Sequence, residues 1–252
     1  MAEAHANPRP ILHVEDVTDA PALDVLAEAA ARHERIGLSF SGAEDVVLVA
    51  LLDELPAEQR ARFTVFSLDT GRLHPETYQF LEKVREHFGV ALETLSPDPL
   101  LLDDFVRAKG LFSFYRDGHG ECCAVRKIEP LRRYLEQQDA WVTGQRRDQS
   151  VTRVHVPQVQ EDRAFHGRGD MLMKYNPLAG WSSREVWQFI RSRKLPYNAL
   201  HDRGFVSIGC EPCTRAVGPH EHERAGRWWW EEATMKECGL HASNLDAGDE
   251  TA

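Results

Sequence analysis

Five cysteines constrain this 252-residue chain more than any other feature of its sequence. Cys122 and Cys123 are adjacent, Cys210 and Cys213 form a Cys-x-x-Cys pair, and Cys238 stands alone near the C-terminal end. Cys-x-x-Cys turns recur in zinc and iron–sulfur sites because both sulfurs can face one centre. Two close pairs can therefore supply four thiolates to one metal centre, which leaves one cysteine over.

The adjacent pair favours a cluster over a single zinc ion. Neighbouring helical side chains diverge by about 100° around the axis, because an α-helix has roughly 3.6 residues per turn. A small tetrahedral ion fits such a pair poorly, whereas a cluster with separated iron corners can accept it. If the four cysteines bind together, the sequence favours [4Fe–4S]. The alternative is that Cys122 and Cys123 are ordinary buried helix residues.

Composition narrows the class of protein. Residues 1–18 contain no apolar segment of the kind that a secretory signal carries, so we expect a cytoplasmic protein in which cysteines serve metal binding or catalysis rather than disulfides. No apolar run approaches the ~18 residues that a membrane span needs. The formal net charge of −10 argues against sequence-unspecific nucleic-acid binding. We therefore expect neither a membrane nor a nucleic acid as a partner.

Strand-like segments alternate with helical ones along much of the chain. Such alternation predicts an α/β fold, a mostly parallel twisted sheet with helices on both faces. The predicted strands are 36–40, 63–68, 90–95, 140–144 and 171–175. We expect a flexible N-terminus at 1–18, a nucleotide-binding α/β domain at 19–227, and a mobile C-terminal tail at 228–252 that carries Cys238.

Two polar turns, at 39–45 and 67–72, directly follow predicted strands. Ligands of parallel sheets bind beyond the carboxyl ends of the strands, at the switch point of the topology. A small-residue turn that enters a helix also aims backbone N–H groups at an anion. The two turns can therefore line one nucleotide site from two sides. The alternative is that they are ordinary α/β turns that bind nothing.

Five stretches in combination resemble assimilatory adenylyl-sulfate (APS) reductase, the iron–sulfur branch of the phosphoadenylyl-sulfate (PAPS) reductase family. They are Ser-Phe-Ser-Gly-Ala-Glu-Asp at 39–45, Cys-Cys-x-x-Arg-Lys at 122–127, Thr-Gly-x-Arg-Arg-Asp-Gln-Ser at 143–150, Gly-Cys-x-x-Cys-Thr at 209–214 and Glu-Cys-Gly-Leu-His at 237–241. The resemblance implies an adenine nucleotide α-hydrolase-like fold of the PP-loop type. It also implies a [4Fe–4S] cluster on Cys122, Cys123, Cys210 and Cys213, with thioredoxin or a glutaredoxin-like dithiol protein as reductant.

The chemistry implied by this resemblance suits the remaining cysteine. APS joins sulfate to AMP as a mixed anhydride, so a thiolate can attack the sulfur and expel AMP, leaving an S-sulfonate that a dithiol can reduce to sulfite. Cys238 lies outside the proposed cluster and is the predicted catalytic nucleophile; the alternative is an inert tail thiol. Cations are needed nearby, because they lower the pKa of the thiol and offset repulsion between two anions.

The predicted substrate-binding residues combine the two turns with the cations that the resemblance suggests. Lys127 is also close to Cys123 in sequence, so it could couple the cluster to the substrate electrostatically. The full set is Ser39, Ser41, Gly42, Asp45, Ser67, Asp69, Thr70, Gly71, Arg72, Lys127, Gly144, Arg153, Arg224, Arg227 and His241.

Three other functions remain open at this point. A PAPS reductase must accommodate an extra 3′-phosphate, which Arg146 or Arg147 could meet, although the paired cysteines favour APS. An ATP pyrophosphatase is disfavoured, because Ala43 and Val46 replace a glycine and a hydroxyl in the pyrophosphate loop of such enzymes. The third is a non-catalytic iron–sulfur redox sensor. A homo-oligomer is possible, and without an appended thioredoxin-like domain the reductant is expected to be a separate protein docking near the Cys238 tail.

Overall fold

The computed structural model describes residues 20–232. Cys238 and His241 lie outside the described residues, as do the predicted N-terminal segment 1–18 and most of the predicted tail. Within residues 20–232, no helix is long and apolar enough to cross a membrane.

The described residues form one six-stranded sheet in the order β3-β2-β1-β4-β6-β5. The β5–β6 pair is antiparallel and the other neighbours are parallel, which confirms the predicted mostly parallel α/β fold. The three-residue edge strand β5 was not predicted. The strands are β1 Ile36–Ser39, β2 Phe63–Leu68, β3 Leu92–Leu95, β4 Ala140–Val142, β5 Val159–Glu161 and β6 Met173–Tyr175.

Helices connect the strands, and a π-helical segment, Ala124–Ile128, follows the adjacent cysteines. The α-helices are α1 Ala22–Arg32, α2 Ala43–Leu52, α3 Ala57–Arg60, α4 Pro75–Phe88, α5 Pro99–Lys109, α6 Phe114–Asp117, α7 Gly120–Cys123, α8 Glu129–Leu135 and α9 Ser183–Arg193. Short 3₁₀ turns cover Arg147–Gln149, Val151–Arg153, Ala199–Arg203 and Glu211–Cys213.

Two apolar cores confirm that helices cover both faces of the sheet. On one face α1, α2, α4 and α9 share a core with Ile36, Leu38 and Val142. On the other face Leu131 and Leu135 of α8 pack on sheet side chains. The α2 helix is apolar on nearly all sides because it is enclosed on nearly all sides, so its sequence shows no amphipathic stripe.

The topology places a switch point between β1 and β4. From β1 the chain adds β2 and then β3 on one side, and it returns to add β4 on the other. The helix after β1, α2, and the helix before β4, α8, pack on opposite faces of the sheet, and a crevice opens beyond the carboxyl ends of β1 and β4.

Candidate active site

A cleft occupies this crevice, and both predicted turns contribute to it. The segment before and within the Cys-x-x-Cys turn and the segment 223–228 complete its walls. Most of the predicted substrate residues line it together, namely Ser39, Ser41, Gly42, Asp45, Ser67, Thr70, Lys127, Gly144, Arg153, Arg224 and Arg227. Whether these residues contact a substrate stays a prediction, as does the role of His241.

Asp45 folds the first turn back onto the start of α2. Its Oδ2 accepts hydrogen bonds from the Ser41 backbone N–H at 2.6 Å, the Ser41 hydroxyl at 3.0 Å and the Gly42 N–H at 2.9 Å. Burial, followed by the charge of Glu44, raises the pKa of Asp45 to about 7. Asp45 thus accepts hydrogen bonds from two backbone N–H groups that were predicted to face an anion. These bonds hold the shape of the turn.

Gly144 is required where β4 meets this turn. A Cβ atom at Gly144 would lie 2.5 Å from Asp45 Oδ1 and 2.6 Å from Glu44 Cβ. Distances under 3.0 Å force a neighbour to move, and here the neighbours are the first residues of a buried helix. The glycine therefore lets the β1 and β4 ends of the cleft approach each other.

We expect Gly144→Ala to lower the free energy of unfolding by about 1–3 kcal/mol, as overpacked buried sites do. Urea unfolding of the full chain measures this change. Gly218→Ala is the matched control, because its Cβ would make only an ordinary contact at 3.6 Å with Glu221. Equal urea midpoints for the two variants would contradict the steric role of Gly144.

A buried ion-pair network, which the sequence did not predict, lies against the cleft. Arg146 is only 1% exposed; its Nη2 lies 2.8 Å from Glu44 Oε1 and 3.1 Å from both carboxylate oxygens of Glu223. Gln149 Nε2 also donates to Glu44 Oε1 at 3.0 Å. Arg146 is therefore held by carboxylates, which argues against the contact with a 3′-phosphate that the PAPS alternative would give it.

In this network the single positive charge of Arg146 faces two carboxylates, those of Glu44 and Glu223. Burial alone favours protonation of Glu44, but the Arg146 charge and hydrogen bonds from Arg146 and Gln149 lower its pKa. Burial and then the Glu44 charge raise the pKa of Glu223 to about 7, against the attraction of Arg146. Because Glu223 precedes Arg224, this network also fixes the segment with Arg224 and Arg227 to the start of α2.

Cations gather on the wall that faces this network. The Arg227 guanidinium lies 4.5 Å from the Trp228 ring centroid, and Lys127 Nζ lies 5.5 Å from the same centroid. Arg227 Nη1 donates to Ile208 O at 3.3 Å, while its buried Nε has no hydrogen-bond partner among residues 20–232. A Cβ at Gly209 would lie 2.5 Å from Arg227 Cζ, so only glycine permits this approach. This wall can accept an anionic ligand.

Three predicted substrate residues do not line the cleft. Asp69 Oδ1 accepts hydrogen bonds from Gly71 N–H at 2.9 Å and from Tyr78 OH at 2.7 Å. Gly71 has a φ of 69°, a left-handed conformation that favours glycine. The Arg72 guanidinium lies 5.3 Å from each of the Phe112 and Phe114 ring centroids and faces the cysteines. Asp69, Gly71 and Arg72 therefore shape the turn after β2 rather than the cleft wall.

The two cysteine pairs meet in one cavity beneath the cleft. Cys122, Cys123, Cys210 and Cys213 are all buried, in a cluster with Phe114 and Trp228. The cavity that they line is also bordered by Arg72, Arg126 and Lys127. The fold thus unites segments that are distant in sequence, as the cysteine pattern requires, and surrounds the sulfurs with apolar groups and cations.

The four cysteines are a donor set of the kind that an iron–sulfur cluster uses. Among the described residues, no three His, Cys, Asp or Glu side chains converge closely enough to hold one metal ion. In a [4Fe–4S] cluster each thiolate binds a different iron, so the four sulfurs do not converge on one atom. Four buried cysteines around one cavity, bordered by cations that would match an anionic thiolate cluster, are compatible with that arrangement.

Cleft and cavity share a wall. Lys127 and Cys210 border both. Thr70 Oγ1 lies 3.1 Å from Cys210 Sγ, and Arg126 Nη1 donates to Thr70 O at 2.6 Å. The turn after β2 therefore contacts the cysteine cavity on one side and the cleft on the other.

Residues just after the predicted boundary at 227 contact His119, which precedes the adjacent cysteines. Trp228 is buried and stacks on His119 at 4.1 Å. Glu231 accepts a hydrogen bond from the His119 N–H at 2.9 Å and lies 2.6 Å from His119 Nδ1. Residues 228–231 thus pack beside the cysteines, and the division into domain and tail stays a prediction.

Fold and site together define an α/β protein with four buried cysteines beside its cleft. Residues 35–216 match the phosphoadenosine phosphosulfate reductase domain, and the chain belongs to this family.

Relatives named for APS reduction are similar over most of the chain. A protein named adenosine 5′-phosphosulfate reductase from Pseudomonas aeruginosa (strain LESB58) is 56% identical over 254 residues, 97% of this chain and 93% of that protein. One of the same name from Allochromatium vinosum is 46% identical, covering 88% and 85%. The chloroplastic 5′-adenylylsulfate reductase 1 of Arabidopsis thaliana is 49% identical, covering 93% of this chain and 50% of that protein.

Solved structures support the fold alone. A phosphoadenylyl-sulfate (PAPS) reductase from Candida auris, crystallised as a phosphate complex, has a TM-score of 0.65 at 22% identity, covering 81% of this chain and 94% of that one. Yeast FAD synthetase in complex with FAD has a TM-score of 0.51 at 17% identity, covering 79% and 67%. The predicted PP-loop type of fold is confirmed.

Proposed function

We propose that this protein reduces APS to sulfite and AMP in sulfate assimilation, with Cys238 as nucleophile and thioredoxin, or a glutaredoxin-like dithiol protein, as reductant. The observation that carries the proposal is the cation-bearing cleft that shares Lys127 and Cys210 with a four-cysteine cavity. The 56% identity to a protein named adenosine 5′-phosphosulfate reductase supports the choice of substrate. A cytoplasmic location and a possible homo-oligomer remain predictions.

The reaction takes two steps. The Cys238 thiolate forms a bond to the sulfate sulfur while the bond from that sulfur to the AMP phosphate oxygen breaks, and AMP leaves with the electron pair. A thiolate of the dithiol protein then attacks Cys238 Sγ, sulfite leaves, and the second thiol resolves the mixed disulfide. The cleft cations Lys127, Arg153, Arg224 and Arg227 would hold the phosphosulfate and offset its repulsion of the incoming thiolate.

Cys122, Cys123, Cys210 and Cys213 would hold the [4Fe–4S] cluster. When bound, it would supply a rigid support and a fixed charge beside Lys127. The dithiol already provides the two electrons that convert sulfate sulfur to sulfite sulfur, so the reaction requires no electrons from the protein itself.

The preference for APS over PAPS has support from a specific contact. Arg146 is committed to Glu44 and Glu223, and Arg147 Nε donates to Val156 O at 3.0 Å. Arg146 and Arg147 thus bind groups within the protein, which favours a substrate without the 3′-phosphate.

The test is the intact mass of anaerobically purified protein after mixing with APS, and separately with PAPS, without any thiol. We expect one added SO₃ unit with APS and none with PAPS, with the adduct on Cys238 in a peptide map. An adduct with both substrates would keep the mechanism and remove the APS preference. No adduct on cluster-loaded protein would refute Cys238 as nucleophile and favour the sensor.

Affinity for APS should depend on pH near neutrality. APS keeps its charge from pH 6 to 8, whereas Asp45 and Glu223, with pKa values raised to about 7, lose theirs as the pH falls. Protonation removes negative charge from the cleft, so APS should bind about fivefold more tightly at pH 6 than at pH 8, the effect of ~1 kcal/mol less repulsion.

Equilibrium titration of the Cys238→Ser variant with APS measures this dependence without turnover. Glu223→Gln in the same background should flatten the pH profile, because it removes one of the two titrating groups. His201 also lines the cleft, and burial lowers its pKa, which favours its neutral form. Tighter binding at pH 8 would contradict the assignment.

A further inference from the structure

We propose that an exposed apolar patch beside the cysteine cavity is the docking surface for the dithiol protein that reduces the S-sulfonate. The patch consists of Leu111, Phe112, Tyr115 and Trp229. This inference rests on the proposed function, since it names the surface on which the second step takes place.

The four side chains expose an unusual amount of apolar surface in one place. Leu111 is 53% exposed, Phe112 59%, Tyr115 44% and Trp229 48%. The Phe112 and Tyr115 rings are stacked with centroids 6.4 Å apart, and the Tyr115 and Trp229 centroids lie 6.5 Å apart. Single exposed apolar residues are ordinary, but a contiguous group marks an interaction site.

Contacts beneath the patch hold it in place. Tyr115 OH donates to Pro212 O at 2.8 Å, within the Cys-x-x-Cys turn. Trp230 packs on Tyr115 with ring centroids 4.5 Å apart, and the Arg72 guanidinium donates to Leu111 O while lying over Phe112. Because these side chains are ordered before any partner arrives, binding to them loses little conformational entropy. Exposed but ordered aromatic residues are typical of the core of a protein interface.

The position of the patch selects the dithiol protein as its occupant. Cys238 follows Glu232, the last described residue, by six positions, and an extended chain spans at most about 3.3–3.6 Å per residue. A thiol that attacks Cys238 Sγ must therefore come within about 20 Å of Glu232. Trp229 lies three residues before Glu232, so a protein that delivers a thiol to Cys238 must cover surface close to the patch.

The position of the patch near Cys238 in sequence also favours the dithiol protein over a small substrate or a second copy of the chain. A small substrate enters the cleft and needs no apolar outer surface. A second copy of the chain would bury the patch permanently, and it would leave the reductant without this surface near Cys238. The patch therefore fits a transient partner whose reactive thiols are surrounded by apolar surface.

The test uses preformed S-sulfonate, made with APS on the full-length holoprotein, and follows sulfite release. Thioredoxin of the same organism is the protein reductant and dithiothreitol the small-molecule reductant. The Phe112→Ser, Trp229→Ser double variant should raise the half-saturating thioredoxin concentration about tenfold or more. S-sulfonate formation with APS and release by dithiothreitol should keep their wild-type rates.

Met171→Ser is the matched control, because Met171 is also 56% exposed. It lies just before β6, at the amino ends of the parallel strands, whereas the cleft lies beyond their carboxyl ends. It should leave every rate unchanged. An unchanged thioredoxin dependence in the double variant would overturn the proposal. An equal loss of the rate with dithiothreitol would also overturn it, because that result indicates a folding defect. A wild-type oligomer that dissociates in the double variant would overturn it as well, because that result assigns the patch to self-association.

The two proposals fail in different ways. If the wild-type protein forms no S-sulfonate with APS, the proposed function is wrong and the patch loses its assigned partner. If the S-sulfonate forms and thioredoxin reduces it equally well in the double variant, the proposed function stands and the docking surface is wrong.

Discussion

Cys238→Ser is expected to abolish sulfite formation, with a loss of at least about 10³-fold, as enzymes that lose their nucleophile show. A serine hydroxyl is a far weaker nucleophile than a thiolate at neutral pH. Even if it attacked, the product would be a sulfate ester without the sulfur–sulfur bond that a dithiol cleaves. Assays with APS and thioredoxin measure the loss, and intact mass should show no SO₃ adduct.

A cluster-ligand variant should show a different pattern, which separates the roles of the cysteines. Cys238→Ser should retain iron and acid-labile sulfide, because Cys238 lies outside the proposed ligand set. Cys213→Ser should lose them, since it removes one of four buried sulfurs from the cavity. If Cys238→Ser lost iron while Cys213→Ser kept it, the division into four ligands and one nucleophile would be wrong.

Local patterns in the sequence were sufficient for the architecture. The strand segments and the turns after β1 and β2 carry their own signals, since apolar runs followed by small polar residues mark where strands end and helices begin. Both turns lie at the predicted edge of the sheet, because the carboxyl ends of parallel strands lie at the same edge. The strand β5 escaped prediction, because its sequence, Val-Gln-Glu, contains only one apolar side chain.

The buried network depends on contacts that no local pattern encodes. Arg146 stands in a basic stretch that resembles a solvated loop, and its partners lie 102 residues before it and 77 residues after it. Only the fold reveals that the arginine is buried. Arg72 was predicted to bind the substrate because the sequence identifies its turn but not the direction of its side chain. In the structure the Arg72 side chain points toward the cysteines.

Arg146→Met should be among the most destabilising single substitutions in the described part of the chain. Methionine keeps much of the side-chain volume but leaves Glu44 and Glu223 buried without their counter-charge. Removing one partner from a buried ion pair typically lowers the free energy of unfolding by about 3–5 kcal/mol. Urea unfolding at pH 8 should show a loss of this size.

The pH dependence of that loss identifies its cause. Without the guanidinium, the pKa of Glu44 in the folded state rises above its value in the unfolded chain, and the pKa of Glu223, which is already raised in the wild type, rises further. The folded variant then binds more protons than the unfolded one, so its stability falls as the pH rises. The deficit relative to wild type should therefore be smaller at pH 6 than at pH 8. Glu223→Gln is the control, because it preserves the bond between Arg146 and Glu44 and should change stability far less. An Arg146→Met deficit that is small and equal at both pH values would mean that water, rather than Arg146, stabilises these carboxylates.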